Sequence, residues 1–146
     1  MAHKHGFHLQ QVLNYRKEIE KSRKLEFATA KQEFESAADL LKRHEDEADR
    51  ARVDYNTKQA TGITASELQL YADFFQRKTV DIQYQRLQVD HLDQQVTEKR
   101  ETLMEAAKDK KALELLKEKQ QLAFRREMAE KERAFLEELA IQKGSR

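Results

Sequence analysis

FATAKQEFESAADLLKRHEDEADRARVDY, residues 27–55, decides the fold. Its small and apolar members, Phe27, Ala30, Phe34, Ala37, Leu41, Ala48, Ala51 and Tyr55, recur with alternating steps of 3 and 4, with His44 as the one polar member. That rhythm is an a/d heptad seam. It is narrower than the apolar face of an ordinary globular helix and implies a coiled coil.

Upstream, Val12, Tyr15 and Ile19 keep a similar rhythm, and the steps from Ile19 through Arg23 to Phe27 read as a stutter that locally unwinds the supercoil. Downstream the pattern stops at Thr61-Gly62, where glycine can take a positive φ without steric cost. Thr64 and Glu67 follow as a capping box, with Ile63 and Leu68 placed as its hydrophobic staple. A second seam then runs Leu68, Tyr71, Phe75, Lys78, Ile82, Gln85, Val89, Leu92, Val96, Lys99, Leu103 and Ala106. It continues less regularly through Leu113, Leu116, Phe124, Met128, Phe135 and Leu139.

The sequence thus predicts an all-α protein: a long antiparallel two-helix coiled-coil hairpin spanning residues 1–146 as one domain. Helix one covers about residues 7–60, the turn about 61–63, and helix two, the longer, about 64–142. At 1.5 Å per residue these helices measure roughly 80 and 120 Å. Centring the turn near residue 63 makes facing residue numbers add to about 126. Tyr55 then lies by Tyr71, Ala51 by Phe75, His44 by Ile82, Ala37 by Val89, Phe34 by Leu92 and Ala30 by Val96. Small residues meet large ones, which fills a seam. Ala48–Lys78, Leu41–Gln85 and Phe27–Lys99 are polar layers that cost stability and fix register.

Composition agrees. Of 146 residues 38% are charged and 38% hydrophobic, with three Gly and no Pro, Cys or Trp. An average domain carries roughly 25% charged residues, so a thick globular core is excluded. Without cysteine there is no disulfide, thiolate zinc site or thiol nucleophile. No apolar run approaches the roughly 18 residues of a membrane span, and the N-terminus lacks the apolar core of a signal peptide. A soluble cytoplasmic protein without membrane insertion is expected. The net charge is +1 with both signs interleaved, so no one-signed field holds nucleic acid.

A two-helix hairpin has no enclosed volume in which catalytic groups converge, and neither a phosphate loop nor HExxH occurs. The chain is read as a non-enzyme with no cofactor, catalytic residue or metal site. His3, His5 and His8 would approach one ion only in an ordered terminus, and among Lys and Gly they read as solvated. His44 reads as a packed polar layer.

Two surfaces remain for partners. On helix two Leu70, Val80, Tyr84 and Leu87 fall opposite the seam, flanked by Phe74, and should be exposed. In the same register residues 120–142 project beyond helix one, leaving Leu122, Phe124, Met128, Phe135, Leu136, Leu139 and Ile141 unpaired. Fraying or self-association of that end is the plainer reading; docking is the other.

These residues resemble the flagellar type III export protein FliJ family and, more distantly, injectisome counterparts. The likeness covers nearly the whole chain: Phe7-x-Leu9-x-x-Val12-Leu13-x-x-Arg16 at the start, Gly62-Ile63-x-x-x-Glu67-Leu68-x-x-Tyr71-x-x-Phe74 in the centre, and Leu113-Glu114-x-Leu116-Lys117-Glu118-Lys119 with Leu136-Glu137-Glu138 towards the end. The central motif is the specific one, combining a turn glycine, a cap and spaced aromatics. The resemblance implies an antiparallel stalk similar to that of rotary ATP synthases. Its partners would be the export ATPase hexamer, the cytoplasmic domain of the export gate and export chaperones, and it would sit peripherally at the inner membrane through the export apparatus. Tyr71 and Phe74 match the motif implicated in gate binding, although the register also puts Tyr71 in the seam. The rest of the family's gate-facing row is not matched here, where Lys78, Asp81 and Gln85 occupy the neighbouring positions. On its own the chain is expected to be monomeric. The competing reading is a structural spacer or homo-oligomeric chaperone outside the flagellar system.

Overall fold

A computed structural model describes residues 6–144. Two helices, α1 (Gln10–Thr61) and α2 (Ala65–Gly144), account for nearly all of them, and no strand occurs among the described residues. They pack antiparallel, with α2 the longer. Helix α1 starts three residues later than expected and α2 runs two residues further. Among the described residues no helix is long and apolar enough to cross a membrane.

The reversal follows from local chemistry. Gly62 takes φ +116°, a conformation costly for any residue with a Cβ, and its N–H donates to the Lys58 carbonyl at 2.8 Å, closing α1. Thr64 Oγ1 accepts the Glu67 N–H at 3.1 Å, which caps α2. Glu67 turns to Lys58 across the loop, at 3.2 Å. Ile63 is half-buried, but Leu68, expected in the seam, is exposed.

The described residues form two compact units. One comprises Arg23–Leu103 and holds the loop; the other combines the residues up to Ser22 with those from Met104 and holds both chain ends. In the loop unit every seam residue expected of α1, from Phe27 to Tyr55, is buried or half-buried. Ala30, Ala48 and Val96 are its most enclosed apolar side chains. Tyr55 meets Tyr71 edge-on at 5.4 Å and Phe75 at 6.1 Å. Gln85, also buried, donates through Nε2 to the Ala37 carbonyl at 3.0 Å. Lys78 reaches His44 Nδ1 at 3.0 Å and pairs with Glu47. Lys99 approaches Glu26 at 3.6 Å, and the Arg100 guanidinium lies 5.7 Å from the Phe27 ring. These pairs obey the expected register.

In the end unit Ile19 is half-buried and Glu20, beside it, is buried. Val12 and Tyr15 are exposed, whereas Leu13 is the most buried large side chain, at 1% exposure. Counted back from Phe27, the 3 and 4 rhythm passes unbroken through Arg23, Glu20, Arg16 and Leu13. On α2 it passes from Ala106 through Lys110, Leu113, Lys117 and Gln120 to Phe124, while Leu116 is exposed. Charged residues therefore sit on a seam that an apolar pattern search reads past. They are tolerated because they find partners, Arg23 on its own helix and the others across the seam. Lys110 lies 2.9 Å from the Glu20 carboxylate, Lys117 donates to Gln10 Oε1 at 2.7 Å, and Gln120 lies 3.3 Å from His8.

Candidate partner-binding surfaces

The first surface lies in the loop unit. Leu70, Val80, Tyr84 and Leu87 are each 60–69% exposed, because α2 needs none of them to close its seam. The Tyr84 hydroxyl accepts from Gln88 Nε2 at 3.0 Å, a contact one turn along the same helix that leaves the ring face open. Phe74 differs from the expectation of exposure. It is half-buried, edge-on to Phe75 at 6.0 Å, with the Lys78 ammonium 5.7 Å from its ring. A side chain at heptad position g borders the seam and can lean over it.

Tyr71 is a seam residue, edge-on to Tyr55 and stacked on Phe75 at 6.3 Å. Its outward edge, with Leu70 and Phe74, lines an open groove of about 510 Å³ whose other walls are Ala51, Asp54, Lys58 and Glu67. Sequence reasoning missed the α1 wall. The register was the available signal, since it places Lys58 opposite Glu67. A second groove, of about 690 Å³, runs beside Leu70 and Val80 between Asp73, Arg77 and Asp81. The first groove, apolar at its floor and charged at its rim, suits protein docking, where central aromatic and aliphatic anchors dominate the energy, whereas the second is lined mainly by polar side chains.

The second surface lies in the end unit. From Arg125 to Gly144 every residue of α2 is exposed, including Met128, Phe135, Leu136, Leu139 and Ile141. Phe124 is half-buried rather than unpaired, the last residue of α2 that is not exposed. Leu122 is exposed.

Electrostatics brace the hairpin more than they shape either surface. Arg23 beside Glu26 holds that carboxyl below the usual carboxylate range, with Lys99 adding to the effect. Lys78 does the same for Glu47, and Glu20 raises the Lys110 ammonium above the usual lysine range. Among the described residues no group of three His, Asp or Glu side chains could hold a metal ion, and His3 and His5 lie outside them.

Fold and surfaces together define a two-helix coiled-coil hairpin with exposed apolar patches at the outer face of α2 and at its C-terminal end. The chain belongs to the family described as the flagellar FliJ protein, whose model matches residues 5–146. That membership makes it a component of the flagellar export apparatus. Neither a curated protein nor a solved structure matches the chain.

Proposed function

We propose that the chain is a stalk of the flagellar export apparatus. Its paired ends enter the ring of the export ATPase, the outer face of α2 contacts the cytoplasmic domain of the export gate, and it assists export chaperones. It works from the cytoplasm, held peripherally at the inner membrane by the apparatus. The observation that carries the reading is the apolar end of α2 beyond Arg125, which is exposed along its whole length among the described residues of a chain that belongs to a family of flagellar export components. A rod that only spaced other parts would not need Phe135, Leu136 and Leu139 open to solvent. The outer-face row of Leu70, Val80, Tyr84 and Leu87 supports the gate contact in the same way.

The test is deletion of residues 123–146, read on the ATPase activity of the ring and on helicity by circular dichroism. Stimulation of the ATPase is expected to disappear while the remaining hairpin stays helical. Undiminished stimulation by the shortened chain overturns the assignment.

A further inference from the structure

The apolar row at the end of α2 is out of phase with the hairpin seam. Continued from Gln120 and Phe124, the seam rhythm calls Glu127, Lys131, Ala134 and Glu138, which are polar or small. The apolar side chains turn off it instead. At 100° per residue Phe124, Met128, Phe135 and Leu139 fall within about 60° of one another. Phe124 stands on the seam, and Met128, Phe135 and Leu139 lie up to about 60° to one side of it, so an α1 extended along its present seam would leave those three for a different helix.

We infer that this helix is the same segment of a second copy, packed antiparallel about a two-fold axis near residues 131–132. Residues 122–141, LAFRREMAEKERAFLEELAI, read nearly the same in both directions by size and polarity. With the axis there, Phe124 of one copy faces Leu139 of the other and Met128 faces Phe135. Ala123 and Ala129 fall level with Ala140 and Ala134. A self-complementary patch of this kind is what an isologous dimer requires. Charge selects the direction. Arg125 and Arg126 make one end of the segment basic, and Glu137 and Glu138 make the other acidic. Antiparallel pairing sets opposite ends side by side, within about a 10 Å screening length, whereas parallel pairing sets like ends together. The free chain therefore departs from the monomer expected of a hairpin that closes its own seam, because that seam ends at Phe124 while α2 continues to Gly144.

A dimer through this row covers the surface assigned above to the ATPase ring, so the two associations are mutually exclusive, and the test therefore uses the full chain alone, without the ATPase. Sedimentation at rising concentration is expected to show a mass climbing from 17.3 kDa towards twice that value. Phe135→Glu, at a side chain 60% exposed in the single chain, should keep its circular dichroism and stay at the single-chain mass. The protein has no cysteine, so introduced thiols report orientation cleanly. A mixture of Phe124→Cys and Leu139→Cys chains is expected to form the mixed disulfide, and Phe124→Cys chains alone are expected to cross-link at least tenfold less. A constant single-chain mass at every concentration overturns the dimer. So does a Phe135→Glu chain that associates like the native one, and cross-linking of Phe124→Cys to itself overturns the antiparallel arrangement.

Discussion

The Lys110 ammonium stands 2.9 Å from the carboxylate of Glu20, on the seam between the helices, with Glu20 only 6% exposed. Replacing one partner takes from the other, at a desolvated position, the ion pair that spans the seam, whereas replacing both by leucine restores an apolar layer. Lys110→Ala is therefore expected to lower the melting temperature clearly, and Glu20→Leu with Lys110→Leu to lower it less or raise it. Thermal melts followed by circular dichroism decide between them. A double variant melting below the single one would show that the pair itself stabilises the hairpin.

Acid should loosen the hairpin in a defined window. Glu26 and Glu47 are held below their ordinary value of 4.5 by Arg23 and Lys78 respectively. A lowered folded-state value means that the contribution is present above that ordinary value and is lost as pH falls through the folded one. Lys110 has the opposite sign: raised above 10.5, its contribution is full below that value and fades as pH climbs through the higher folded one. Melting temperature should hold near neutrality, fall below about pH 4.5 and fall again in strong alkali. Glu47→Gln should flatten the acid limb, and high salt should shrink it, since the pair is partly exposed.

Stability and partner binding should separate on α2. Tyr84→Ala with Leu87→Ala removes side chains more than 60% exposed and is expected to cost under about 0.5 kcal/mol each. Leu13→Ala empties a buried site on α1 and is expected to cost roughly 2–5 kcal/mol. Binding of the export gate and swimming motility should follow the first pair, with the melting temperature unchanged. An early melt of the Tyr84 and Leu87 variant would place those side chains in a core.

The reversal and register can be tested with thiols. Ala37→Cys with Val89→Cys is expected to form an intramolecular disulfide in dilute solution. Purely intermolecular products would mean that the helices pair between extended chains. Gly62→Ala, forcing a Cβ into φ +116°, should destabilise the hairpin by about 1 kcal/mol or more.

How much of this was legible differs between the two units. The loop unit could be read because its seam is written in apolar and small residues, from Phe27 to Tyr55, and because a single glycine and a threonine cap set where the chain turns. From those the register follows by counting. In the end unit the apolar pattern leads through Val12, Tyr15 and Leu116, which are exposed, and past Arg16, Glu20, Lys110 and Lys117, which lie on the seam. A charged residue belongs there only if its partner stands opposite. Residues as far apart in sequence as Glu20 and Lys110 become neighbours only once the helices are packed.

The sequence by itself determined two helices, the site of the turn, the facing pairs and the row of Leu70, Val80, Tyr84 and Leu87 left outside the seam. Each is a matter of periodicity or of one residue's backbone freedom, which are local properties. Tertiary structure alone decided that Phe74 leans onto Phe75 beneath the Lys78 ammonium, that Tyr71 divides itself between seam and groove, and that Phe124 is the last residue of α2 that is not exposed. Those outcomes depend on which side chain the opposite helix brings within contact distance, and desolvation is set by that neighbour rather than by the residue's own place in the heptad.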